Sequence, residues 1–206
     1  MKATREHIVR LADSLIRKRG FNAFSYADIA AVLDLRNAAI HYHFPTKSLL
    51  GQAVIREELL RLEEYQHLHG SLGGDLQLQH LVSTFYHNSQ RNAVCLMGAL
   101  TPEFATFDAD MQSMLQQLCT VIREWVAGCL EEARNSGRLR FSGSAADRSA
   151  LVVSTLLSSL LLSRVEGAGL FSRMLDLLLE DLGAGWRIAD LPANKPAGEE
   201  GLYSFT

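Results

Sequence analysis

Arg36 and Asn37 stand side by side and bring a particular chemistry with them. An arginine can donate two parallel hydrogen bonds to guanine, and an asparagine can pair bidentately with adenine, each worth about 1–3 kcal/mol of discrimination between bases. The residues that follow are small, Ala38 and Ala39, and side chains this short let a backbone come close to a duplex and meet thymine methyl groups. Upstream, Ser25-Tyr26-Ala27-Asp28 sets a serine where it can cap a helix and an acid three positions later, an Asp variant of the capping box. The N–H groups at such a helix start favour anions. Recognition of a polyanion is the chemistry these types and spacings support.

Bond-making chemistry finds less material. A catalytic centre would have to rest on Cys95 with His80 or His87, and the chain has no Gly-rich phosphate loop, His-Glu-x-x-His, nucleophile elbow or paired-cysteine metal motif. No enzyme, no cofactor and no metal centre are expected. His41 and His43 are two apart and diverge on a helix, and His67-Leu68-His69 reads as a solvated helix end. Three cysteines, Cys95, Cys119 and Cys129, lack metal-ligand spacing and are odd in number, which suits thiols in a reducing compartment.

The elements that must position these residues are helical throughout, so an all-α fold is expected. Ile8, Leu11, Ala12, Leu15 and Ile16 form one apolar stripe, with Arg10, Asp13, Arg17 and Lys18 on the other faces, and this first helix ends near Gly20. A second helix runs from Ser25 through Ile29, Ala30 and Leu33. Asp34 then falls where a tight turn needs a residue tolerant of left-handed angles, and a short third helix occupies 37–44 until Pro45 stops it. Ile40 and Phe44 are expected to face inward. Thr46-Lys47-Ser48 opens a longer helix that ends at the Gly70–Gly74 cluster. Beyond it, helical stretches are expected over roughly 75–91, an irregular pair around 93–107 broken at Pro102, then 109–135, 145–166 and 169–182. Alternating strand patterns are absent.

The chain has 206 residues, 48% hydrophobic and 21% charged, with a net charge of -3 that hides an asymmetry. Residues 1–50 carry +4 and the remainder -7, the balance of a protein that touches a polyanion with one end. The most apolar run, Ala150 to Leu162, is short and holds four hydroxyl residues, so it is read as a core or interface helix and no membrane partner is expected. The N-terminus lacks an export pattern, and a cytoplasmic location is expected.

Two short helices joined by a tight turn and braced by a third make a helix-turn-helix. The segment IAAVLDLRNAAIHYHFPTKSLL at 29–50, with Gly20-Phe21 before it, resembles the signature of the TetR family of transcriptional regulators. The resemblance covers about residues 5–54; Asp34 departs from it, standing where the family commonly has glycine. It implies that Ser25 and Tyr26 meet phosphate, that Arg36, Asn37, Ala38, Ala39 and His41 read bases, and that Tyr42, His43 and Lys47 grip the DNA backbone.

The same resemblance implies a DNA-binding domain at 1–50 and a helical effector-binding and dimerisation domain at 51–185, and the Pro- and Gly-containing composition of 186–206 reads as a loosely ordered extension. The expected partners are double-stranded DNA, a small-molecule effector and a second copy of the chain. Candidate pocket residues are Tyr65, Phe85, Cys95, Met97, Phe104, Met114, Leu118 and Trp125; candidate dimer-interface residues are Leu151, Thr155, Ser158, Leu162, Val165, Leu170, Met174, Leu177 and Leu178. The expected function is repression relieved by the effector. The alternatives are a repressor that senses electrophiles through Cys95 and, more remotely, a helical protein-interaction scaffold.

Overall fold

The computed structural model describes residues 2–91 and 93–192. The expectation about the extension therefore lies outside the described residues from 193 onward. Among the described residues there are nine α-helices and no strand: α1 (Lys2–Arg19), α2 (Tyr26–Leu33), α3 (Asn37–His43), α4 (Lys47–His69), α5 (Gly74–Gln90), α6 (Leu96–Leu100), α7 (Ala109–Asn135), α8 (Ala145–Glu166) and α9 (Ala168–Asp181). The all-α expectation holds. The irregular pair around Pro102 is α6 followed by a 3-10 turn, Thr101–Thr106, with the proline in its first turn, where a missing N–H costs nothing.

The chain divides into two compact units. Unit 1 runs up to Arg61 and adds Leu96–Cys119; unit 2 holds Leu62–Cys95 and continues from Thr120. The first unit thus takes in 51–61 and 96–119, which the sequence reading assigns to the body.

In unit 1, Ile8, Val9, Ala12, Leu15 and Ile16 bury the stripe of α1, and α1 packs on α2 and α6. Asp13 and Arg17 lie off the apolar stripe, yet both are buried, joined at 2.8 Å, and Arg17 reaches Glu58 on α4 at 2.9 Å. Arg61 closes the ring at 3.4 Å from Glu58 and 3.6 Å from Asp13. Two carboxylates and two guanidiniums compensate one another where either pair alone would be costly. Burial pushes the Glu58 carboxyl up, against the pull of Arg17 and Arg61. Gly51 lets α4 come close, because a Cβ there would lie 2.7 Å from Met111 Cε and 2.8 Å from the Phe21 ring.

In unit 2, α8 packs on α9 and on α5, and α5 also meets α9. Ser144 caps α8, accepting from the Asp147 N–H at 3.0 Å. Gly167 joins α8 to α9 at φ 92, a backbone state open to glycine. The inner side of α8 carries Val152, Val153, Leu156 and Leu160. Its outer side leaves Leu151, Leu162 and Val165 exposed, Val165 by 87%. By length and composition α8 is also apolar enough to cross a membrane, with 33% of its most apolar window buried.

Candidate nucleic-acid interface

The short helix that carries the polar pattern is positioned by three local devices. Ser25 caps α2 with both bonds of a capping box: its Oγ accepts from the Asp28 N–H at 3.4 Å and its own N–H donates to Asp28 Oδ2 at 2.7 Å. The Ser25 hydroxyl also donates to that oxygen at 2.6 Å, and these bonds, with Arg19 at 3.8 Å, hold the Asp28 carboxyl below its ordinary value. Asp34 ends α2 at φ 52 and ψ 46, the left-handed turn its position requires. The Leu35 N–H closes that turn on the Ala30 carbonyl at 3.0 Å.

Arg36 then sits at the N-cap of α3 in extended backbone, with no side-chain cap bond holding it. On the seven residues of α3 the inside and outside separate cleanly. Ile40 is 0% exposed and Phe44, just past the helix, is buried, as their spacing predicts. Arg36, Asn37, Ala38, His41 and Tyr42 are exposed, Tyr42 by 73%, and Ala39 and His43 are half-buried. The structure therefore leaves a guanidinium at the start of a short helix, and a carboxamide, two methyl-sized side chains, an imidazole and a phenol around the part of it that Ile40 does not anchor. That set can hydrogen-bond base edges and phosphates and contact thymine methyls.

Two residues expected to touch phosphate are engaged inside unit 1. The Tyr26 hydroxyl donates to the Phe44 carbonyl at 2.8 Å, tying the start of α2 to the end of α3, and its ring meets His41 edge-on at 4.7 Å. Burial pushes the Tyr26 phenol up to about 12. Lys47 Nζ donates to the Phe24 carbonyl and lies over the rings of Phe21 at 4.8 Å and Phe24 at 4.2 Å. Burial lowers its pKa, opposed by the carboxylates of Glu103 and Asp28. In this arrangement Tyr26 ties the start of α2 to the end of α3, and Lys47 ties the start of α4 to the segment before α2. Ser25, by contrast, is exposed at the helix start.

Sequence reasoning missed three contributors. Arg5 lies over the Phe44 ring at 5.0 Å, a cation beside the end of α3. Glu103 accepts from the Asn22 N–H at 2.8 Å, and Thr106 Oγ1 lies 2.9 Å from Asn22 Nδ2, so the 3-10 turn holds the α1–α2 connection. Only the surplus of cations in the first fifty residues hinted at Arg5, and nothing local links Asn22 to residues eighty positions on.

The eight pocket candidates fall into both units. Met97, Phe104, Met114 and Leu118 belong to unit 1, and Tyr65, Phe85, Cys95 and Trp125 to unit 2, where Tyr65 and Trp125 meet edge-on at 5.6 Å. Cys95 is 2% exposed, and burial with the nearby Glu132 carboxylate pushes the Cys129 thiol up to about 12. His69 corrects another expectation: it is buried and stacked on Tyr65 at 4.2 Å, while His67 and Leu68 are exposed. An aromatic four residues earlier on the same helix face was the available signal. Of the interface candidates, Leu151, Ser158, Leu162, Val165 and Leu177 are exposed, Thr155, Leu170 and Met174 half-buried, and Leu178 is turned into its own unit. Among the described residues no cluster of three or more metal-ligating side chains occurs.

Comparison with known proteins adds a family match for one segment. Residues 8–54 match the model described as bacterial regulatory proteins, tetR family. No curated protein matches the chain. Among solved structures, a TetR-family transcriptional regulator from Agrobacterium tumefaciens is 26% identical at a TM-score of 0.82, over 88% of this chain and 98% of its own. A TetR transcriptional regulator from Legionella pneumophila is 27% identical at 0.73, over 87% and 97%. AibR, solved in complex with isovaleryl coenzyme A and operator DNA, is 17% identical at 0.60, over 74% and 83%.

Proposed function

We propose that this chain, which carries the DNA-binding segment of the tetR family of bacterial regulatory proteins and the fold of its solved members, is a cytoplasmic homodimeric repressor that leaves its operator when a small molecule binds. The observation that carries the reading is α3: seven residues with one apolar anchor, Ile40, and an outward face of base-reading types. Arg36, Asn37, Ala38, Ala39 and His41 read bases. Tyr42, His43 and Ser25 meet the phosphates, with Arg5 as an added cation, and Tyr26 and Lys47 hold α3 in place.

The exposed leucines support the dimer. Leu151, Leu162, Val165 and Leu177 leave an apolar surface on α8 and α9 that a second copy covers with the same residues, as a two-fold interface requires. Two copies present two recognition helices to half-sites about 34 Å apart. The effector acts by preferring a dimer that does not fit those half-sites, and such coupling is typically about 1–3 kcal/mol. A neighbour of the same fold, solved with isovaleryl coenzyme A and operator DNA, supports a small molecule and operator DNA as the two kinds of partner. The thiol-sensing alternative draws no support from Cys95, since a sensor thiol needs access to its oxidant and this one is buried.

Fluorescence titration of labelled palindromic duplexes, taken from inverted repeats beside the gene, tests the assignment. Arg36→Ala should weaken the preferred duplex about 5- to 150-fold and relax preference at one base pair, as expected for a lost bidentate contact. Equal binding of variant and parent, to every duplex and at every salt concentration, would sink it.

A further inference from the structure

One group in unit 2 points to the chemistry of the effector. Tyr65 lies in the last turns of α4, 4% exposed, and its hydroxyl has no hydrogen-bond partner. Folded proteins pair the great majority of their buried polar atoms, because a dry hydroxyl has given up water without replacement. The surroundings are aromatic. The His69 ring is stacked on the phenol at 4.2 Å and 29°, Trp125 meets it edge-on at 83°, and His80 lies 4.6 Å from His69.

The neighbouring donors are already engaged. His69 Nδ1 donates to the Tyr65 carbonyl at 3.0 Å, Trp125 Nε1 to Gln77 Oε1 at 3.1 Å, and the Cys129 thiol to that same oxygen at 3.5 Å. Those bonds hold the rings in fixed orientations and leave the Tyr65 hydroxyl for something else. The hydroxyl keeps a proton with no oxygen to receive it, so what it lacks is an acceptor. The Glu132 carboxylate acts on Cys129 beside this group, a reason to favour a neutral acceptor over an anion.

We infer that Tyr65 is the polar anchor of the effector subsite, which takes a neutral aromatic molecule bearing an accepting oxygen such as a ketone, aldehyde or ester. The ring packs with those of Tyr65, His69 and Trp125, and the oxygen receives the Tyr65 hydroxyl. This rests on the effector reading given above and supplies its ligand class.

Isothermal titration of the full-length chain with four probes tests it: acetophenone, ethylbenzene, benzoate and cyclohexyl methyl ketone. Acetophenone should bind one per chain, about tenfold or more tighter than each of the others. Tyr65→Phe keeps the ring and removes an oxygen that bonds to no protein group, so the fold should persist, which circular dichroism checks. That variant should lose about tenfold for acetophenone, which is 1.4 kcal/mol, and nothing for ethylbenzene. Three results overturn the inference: no saturable binding of acetophenone, equal affinity for acetophenone and ethylbenzene, or an unchanged affinity in Tyr65→Phe. A parallel DNA-release assay separates this from the reading beneath it. Acetophenone that binds through Tyr65 without loosening DNA keeps the subsite and removes the release mechanism. A compound that releases DNA equally from parent and Tyr65→Phe keeps the mechanism and removes the subsite.

Discussion

Tyr26 in unit 1 and Tyr65 in unit 2 are the same side chain in opposite situations. Burial raises the pKa of both phenols, so both stay protonated across the physiological range. The Tyr26 hydroxyl holds the Phe44 carbonyl, whereas the Tyr65 hydroxyl holds nothing in the protein. The contrast extends through each region. Around α3, Ser25 and Asp28 bond each other, Lys47 bonds the Phe24 carbonyl and Asn22 bonds Glu103 and Thr106, so the polar groups that remain open are those turned outward. Unit 2 keeps buried donors unpaired and leucines exposed on α8 and α9. A surface that reads a duplex must be held still before the duplex arrives, while a region that accepts a ligand or a second copy is completed by it.

The largest expected effect tests how far unit 1 is self-sufficient. Arg17→Ala leaves Asp13 and Glu58 facing each other with only Arg61 between them, and removing one partner of a buried pair costs about 3–5 kcal/mol. Urea unfolding should show that loss; a change below about 1 kcal/mol would mean that the ring of charges is not closed in solution. Next comes the matched pair of tyrosines. Tyr26→Phe should lose about 1 kcal/mol with its bond to Phe44, whereas Tyr65→Phe should be neutral or stabilising because no protein bond is broken. Equal losses in thermal melts of the two would erase the contrast between the regions.

The smallest effect concerns acid. The folded-state pKa of Asp28 is depressed, so the stability it contributes is complete above the ordinary aspartate value of 3.8 and is lost as pH falls through the lowered one. The gap in melting temperature between the parent and Asp28→Asn should therefore narrow below about pH 4 and stay constant above pH 5. A gap that does not change over that range would remove the capping box as its source.

Much of unit 1 was legible because its information is local. Ser25 with Asp28, the turn at Asp34 and the stop at Pro45 each act over three or four residues, and Ile40 and Phe44 sit one turn apart on the same inward side. Chain order alone was enough to show them, and residues 8–54 are also the stretch that matches a family model. The engagement of Lys47 was not legible, since its carbonyl partner is 23 residues away and a lysine after a turn looks the same whether it points in or out. His69 was misread for the same reason. A histidine near a helix end looks solvated until a stacking ring and a second helix are seen to cover it.

Periodicity and capping residues by themselves settled that this chain is helical, where most of its helices begin and end, and which short helix shows a base-reading face. Those features depend on backbone sterics and bonds that close within a turn, so they are written in consecutive residues. The tertiary structure alone decided which polar groups are already bonded: Arg17 to Glu58, Tyr26 to Phe44, Asn22 to Glu103, and Tyr65 to none. Pairing across tens of residues depends on which helices pack together, and a one-dimensional pattern carries no distance between them.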